Sequence, residues 1–368
     1  MKKPHTKPHY TRVALLTLGY LIAFSFSHAA NFTGSNGTAW ADNDNWNTVV
    51  YPGSATASEN HGLISGGHTV NLSTPLSQNL TVVQVSQSTL NINTSVTATS
   101  GLGIGEVNAS GNSTMTINTG ASWINSSQLT FAKHGGSTDK TGVSELHVNG
   151  GTYSQGHNIN LRESGNGTTA RFRVTGGSAT IGGGRDWNGD TNNQELLFSG
   201  GVSQFAGVNF NSGVTSSGLF QVASDATVSV TSFEMNLAVH DLEILGSQAT
   251  FSSTSTATLN GGLVSFKDTD NTGFSTINVT TDLTLAGADL EVDLNGLTSG
   301  TYDLFDYDGT ITGTFNSVNF LNGSGTIDYG TGSGDAISIT VIPEPATFAM
   351  LAAGMTGLMS VMLRRRRS

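Results

Sequence analysis

The chain has 368 residues, of which 47 are Gly, more than its 15 Lys and Arg and 26 Asp and Glu together, and only 11% are charged, where soluble globular proteins average about 25%. Cysteine is absent, which excludes disulfide frameworks, thiolate metal sites and cysteine nucleophiles. Seven of the basic and 25 of the acidic residues lie between Asn31 and Ile342, a net charge of −18 over that span, and a surface so poor in Lys and Arg excludes nucleic acid as a partner.

Residues 1–29 read as a secretory signal peptide. Lys2, Lys3, Lys7 and Arg12 precede an apolar run from Val13 to Phe26, too short to cross a bilayer, which needs about 20 residues. Ser27 and Ala29 place small side chains at the −3 and −1 positions for signal peptidase, so cleavage is expected after Ala29. Residues 30–75, with Trp40 and Trp46, read as a leading β cap whose aromatics cover the first repeat.

From residue 76 to 274 the sequence is rich in Thr, Ser, Asn, Gly and β-branched residues, the composition of strands. A pattern recurs of apolar, any, apolar, any, then two turn residues: Leu146-His147-Val148-Asn149-Gly150-Gly151, Phe172-Arg173-Val174-Thr175-Gly176-Gly177 and Leu196-Leu197-Phe198-Ser199-Gly200-Gly201. Weaker copies begin at Leu90, Met115, Phe220 and Leu242. The starts lie 22 to 31 residues apart, the length that three short strands and three turns require. The expected fold is all-β, a β-solenoid resembling a parallel β-helix, in which coils stack about 4.8 Å apart and each buries its neighbour's apolar face. An antiparallel sandwich with hairpins at this spacing is the alternative. Gly pairs at the corners supply positive φ where the chain turns. Residues 275–342 alternate differently, through Leu283, Leu285, Leu290, Val292 and Leu294, and read as a C-terminal β cap that protects the last open edge.

Residues 343–368 comprise Pro343-Glu344-Pro345, an uncharged stretch from Ala346 to Leu363, and Arg364, Arg365, Arg366 and Arg367 before Ser368. The stretch reads as a short transmembrane helix, and the arginines hold its far end in the cytoplasm. The three parts in this order resemble the PEP-CTERM sorting signal of exported bacterial proteins. That resemblance implies that an exosortase recognises Pro343, Glu344 and Pro345 and detaches the body from its tail. The Gly-Gly corners and the C-terminal stretch are similar to autotransporter-associated β-strand repeats of bacterial surface proteins.

Motifs that fix chemistry by spacing are absent: there is no Gly-x-Ser-x-Gly elbow, no His-Glu-x-x-His helix and no P-loop. The best local constellation is Arg185 to Asn192, where Asp186, Asn188 and Asp190 offer side-chain oxygens at every second position, as a Ca²⁺ ligand set would. Its spacing departs from an EF-hand, with Thr191 where the turn Gly belongs and Leu197 where the bidentate Glu belongs. Asp303, Asp306 and Asp308 form a second acidic cluster, and six histidines (His61, His68, His134, His147, His157, His240) show no metal-site spacing. The sequence therefore reads as an exported surface or extracellular-matrix protein, anchored in the inner membrane until its tail is removed, structural or adhesive and not catalytic, with polysaccharide or other matrix components as partners. A β-helix polysaccharide lyase or hydrolase, whose carboxylates meet Arg171, Arg173 or Arg185 in one groove, and a calcium-stabilised surface module are the alternatives.

Overall fold

The computed structural model describes residues 29–48, 50–57, 60–105, 111–131, 142–160, 168–186, 193–210, 217–236, 238–270, 272–330 and 335–342. Among these, the regular structure is β-strand except for one 3-10 turn at Asn43–Asn45. The strands wind into a β-solenoid of nine complete coils: 89–104, 113–131, 144–160, 168–186, 193–210, 218–235, 240–259, 263–286 and 289–314. Each coil contributes one strand to each of three faces, taken here in chain order as first, second and third. Coil-to-coil pairing is parallel throughout. Antiparallel ladders are confined, among the described residues, to the last strand, Asp335–Ile342, which lies between Gly300–Tyr307 and Ser324–Asp328. That pairing excludes the sandwich.

The repeat in the sequence is the vertical register of the first face. Leu90, Met115, Leu146, Phe172, Leu196, Phe220 and Leu242 stand one above another in that order. All seven are at most 1% exposed, because alternate residues of a strand share one side of the sheet and the inner side has no access to water. The same column continues down to Val70 and up through Val264, Leu290 and Val318. The solenoid thus runs beyond residue 274 into the span expected to be a cap. Leu283 and Leu285 are inward residues of the third face in coil 8, and Leu290 and Val292 of the first face in coil 9. The segment alternates like its predecessors but lacks their Gly-Gly corners and carries acidic residues outward, which disguises it. Closure falls to residues 324–342, whose antiparallel strand covers the free edge of the second face at coil 9.

Aromatic rings fill the middle of the stack. Phe172, Phe198, Phe205, Phe220, Phe233 and Phe251 touch in sequence with ring centroids 5.2 to 6.3 Å apart, several edge to face, the geometry that aligns a positive ring edge with a negative ring face. At the leading end Trp40 and Trp46 pack 4.8 Å apart and Phe32 meets Trp46 edge-on at 5.2 Å. Both indole N–H groups are satisfied: Trp46 donates to the Trp40 carbonyl (2.8 Å) and Trp40 to that of Pro52 (2.9 Å). These rings pack together at the leading end of the stack.

The corner between the first and second faces needs glycine for two separable reasons. Gly120, Gly150, Gly177 and Gly201 all hold φ near +75° to +79°, a left-handed conformation costly for any residue with a Cβ. At Gly120 a Cβ would meet nothing within 4 Å, whereas at Gly177 it would run into the backbone carbonyl of Gly151 in the coil below. Gly120→Ala should therefore lose only the conformational cost, about 1–2 kcal/mol, and Gly177→Ala about 1–3 kcal/mol more, since a rigid neighbour must give way. Denaturant midpoints of the two variants, compared with wild type, measure the difference.

Candidate functional site

Outward positions of the first face line up as strictly as inward ones. The position before each inward start reads Thr114, Glu145, Arg171, Glu195, Leu219, Asp241, Leu263, Asp289 up the stack. The next outward column reads Thr116, His147, Arg173, Leu197, Gln221, Glu243, Ser265, Glu291. In neither column do carboxylates occupy adjacent coils, and the coil between two of them supplies an arginine, a hydroxyl or an apolar side chain. Like charges stacked at the coil spacing would repel strongly in this half-buried setting.

At coils 3 to 5 the columns form one ion-pair cluster. The Arg171 guanidinium donates to Glu195 at 2.5 Å and to Glu145 at 3.1 Å, and Arg173 forms an ion pair with the other Glu145 oxygen at 3.0 Å. Glu145 is only 8% exposed, so its charge is held by two guanidinium groups instead of water. Burial alone lowers the pKa of Arg171, but its pairing with Glu195 and then Glu145 outweighs that and the net shift is upward. Beside it, Arg173 also reaches Nδ1 of His147 at 3.3 Å, and His147 Nε2 lies 2.8 Å from the Thr175 hydroxyl. An N–H of Arg173 pointing at Nδ1 requires that nitrogen to be an acceptor, so the ring is neutral and Nε2 donates to Thr175. Burial first and Arg173 second push the His147 pKa below 6.5, against a smaller pull from Glu145.

Farther along, Glu243 accepts from Gln221 (2.8 Å) in the coil before and from Lys267 (2.9 Å) in the coil after. Asp241 beside it has its pKa raised, by burial and then by the Glu243 charge. In coil 9 the acids take donors from the following strand and the residues flanking it: Asn316 and Ser317 to Asp289, Asn319 to Glu291 and Asn322 to Asp293. Those hydroxyl and amide donors hold Asp289 below the usual carboxylate range.

The sequence-derived candidates distribute as follows. Arg171 and Arg173 do meet carboxylates, yet as a stacked ladder in which both Glu145 and Glu195 are occupied by guanidinium. Asp186 ends the strand Thr168–Asp186, its backbone paired with Asn209, while Asn188 and Asp190 lie outside the described residues. Asp303, Asp306 and Asp308 are exposed, and among the described residues no group of three His, Cys, Asp or Glu side chains is placed to share a metal ion. Glu145 and Glu195, the acids of the cluster, escaped the sequence reading. Aligning the residue before each repeat start would have exposed them, because that offset puts Glu145, Arg171 and Glu195 in one column. Ser27, Pro343, Glu344, Pro345 and Arg364 to Arg367 lie outside the described residues. No helix among the described residues is long and apolar enough to cross a membrane.

Removing Arg171 leaves Glu195 without its cation and the buried Glu145 with Arg173 alone. Arg171→Ala should cost about 2–4 kcal/mol, toward the lower part of the range for broken buried pairs because Arg171 and Glu195 retain some solvent. The triple replacement Glu145→Leu, Arg171→Met, Glu195→Leu should be near neutral in the same unfolding assay. For His147 the folded pKa lies below the unfolded 6.5, so the folded state resists protonation; its contribution is present above pH 6.5 and is lost as pH falls through the folded value. Thermal midpoints between pH 7.5 and 5 should fall less steeply in His147→Gln than in wild type.

Compared with known protein families, residues 341–367 match the PEP-CTERM protein-sorting motif. Neither the curated proteins nor the solved structures offer a match to the chain. A PEP-CTERM motif following a β-solenoid body is the arrangement of an exported protein sorted by an exosortase.

Proposed function

We propose that this protein is a structural or adhesive component of the cell surface or extracellular matrix, processed at both ends and without catalytic activity. Signal peptidase removes residues 1–29 and exosortase acts at Pro343-Glu344-Pro345, with the stretch to Leu363 as a transient inner-membrane anchor and Arg364 to Arg367 fixing its cytoplasmic side. The observation that carries this reading is the sorting motif at residues 341–367 joined to a long repetitive body. Nine coils spaced about 4.8 Å apart make a column of roughly 40 Å whose outward ladders are Asn, Thr, Ser and carboxylate. Asn91 donates to Asn71 (2.9 Å), Asn118 to Asn93 (2.7 Å) and Asn260 to Asn236 (2.9 Å), leaving rows of amides and hydroxyls on the surface. Such rows offer extracellular polysaccharide many weak hydrogen bonds, and valency supplies the affinity that a single contact lacks. The non-catalytic reading draws support from the first face, where Glu145, Glu195 and Glu243 are each engaged by a cation.

The sorting part of this reading is tested by Glu344→Ala. The variant should accumulate in the cell envelope with residues 346–368 still attached, as read by intact mass, while wild type loses them. Normal removal of the tail in the variant would overturn it. The adhesive part is tested by retention of the full chain on immobilised extracellular polysaccharide from the producing cells, which should fall with dilution of the polysaccharide density more steeply than a single-site binder would.

A further inference from the structure

The corner between the second and third faces is not uniform along the stack. In coils 1 to 4 and 7 to 9 three residues separate the last inward register position of the second face from the first of the third, as in 99–101, 126–128, 156–158, 182–184, 254–256, 280–282 and 308–310. In coil 5 only Ala206 and Gly207 separate Phe205 from Val208, and in coil 6 only Thr231 and Ser232 separate Val230 from Phe233. The two short corners are adjacent and are flanked by full-length ones. The edge of the solenoid is therefore cut back by one residue over two coils.

An open cavity of about 270 Å³ occupies that cut. It is lined by the polar residues Thr180, Gln204, Ser229, Thr231 and Thr254; Phe205 and Val230, which also border it, belong to the core and are at most 3% exposed. No Lys, Arg, Asp or Glu lines it, although the body as a whole is strongly acidic. The volume is just below the range of about 300–1,000 Å³ typical of drug-sized ligand sites, so one or two small rings fill it.

The geometry points to a binding site for a neutral sugar unit in this notch. A sugar ring carries a rim of hydroxyls that both donate and accept. Thr, Ser and Gln also do both, and the notch gathers five of them around an opening that no charged side chain lines. A uronate or sulfated sugar gains no cation here and meets the negative field of the body. The notch deepens the polysaccharide-binding reading, on which it rests, by giving the column one shaped site among its many weak contacts.

The test uses the full chain in a sugar-free zwitterionic detergent and three neutral disaccharides, cellobiose, maltose and lactose, followed by saturation-transfer NMR and titration. At least one should bind saturably, in the millimolar range. Ala206→Trp, which puts an indole into the notch from an exposed position, should weaken that binding by about tenfold or more with an unchanged melting temperature. Gln204→Ala, also exposed, should weaken it severalfold and serves where the larger side chain disturbs folding. Equal affinity in the wild type and both variants, or no saturable binding of any disaccharide, overturns the notch. If the wild type is nevertheless retained on polysaccharide, the broader adhesive reading survives that failure; if it is not, both fall. Tighter binding of glucuronate than of the neutral sugars also overturns the proposal.

Discussion

Parallel coils in strict register give each side chain its own counterpart as nearest neighbour, about 4.8 Å above and below. Most of this structure follows from what that spacing permits. Inside, it rewards repetition: Leu on Met on Leu on Phe in the first face, and a continuous run of phenylalanine rings toward the middle coils. Outside, it forbids repetition of charge. Glu145, Glu195, Asp241 and Asp289 share one column and occupy every second coil, and the arginine of coil 4 sits between the first two. Asparagine is free of that prohibition, since an amide can donate to one neighbour and accept from the other, and it stacks directly on itself at Asn71 and Asn91, Asn93 and Asn118, and Asn236 and Asn260.

The same spacing governs the corners. Where the chain passes from the first face to the second, backbone from successive coils comes so close that Gly177 sits against the Gly151 carbonyl and Gly201 against that of Gly177, at 2.5 Å from where a Cβ would be. A corner this tight cannot absorb a side chain, so variation in the body is pushed to other places: to the outward columns and to the corner between the second and third faces. That corner also holds buried polar residues. Ser253, fully buried, donates within reach of the carbonyls of Ser255 and Thr256, and Gln155 donates to those of His157 and Asn158. These side chains give turn carbonyls a donor from inside the coil, that of Thr256 in addition to the backbone N–H of Phe233.

How much of this was legible in the sequence depends on which periodicity carried it. The inward column was readable because Leu146, Phe172 and Leu196 stand at a fixed offset from a Gly-Gly turn, and seven of its members were found without a structure. It faded after Leu242, where the turn positions read Asp268-Thr269 and Leu294-Asn295, although Val264, Phe266, Leu290 and Val292 keep the alternation. The ion-pair cluster was half visible: Arg171 and Arg173 drew notice as isolated cations, but pairing them with Glu145 and Glu195 requires knowing that residues 24 and 26 apart are neighbours. The shortened corners of coils 5 and 6 were not legible at all. A one-residue difference in a Gly- and Thr-rich turn has no meaning until both flanking strands are in register.

The tryptophan cap has a consequence for how an exported chain acquires this shape. A chain that crosses a membrane from its N-terminus delivers Phe32, Trp40 and Trp46 first, then Gly62 under the Trp40 ring, then the first coils. A single coil has no partner to bury its inner face, so spontaneous nucleation in the middle of such a repetitive chain is slow and open to pairing out of register. A finished aromatic plate at the leading end removes that ambiguity: it presents one apolar surface and one strand edge, and only the next coil in sequence is within reach. Growth then proceeds as a zipper in the order of synthesis, and the antiparallel strand Asp335–Ile342 locks the far end as the last part of the body to emerge.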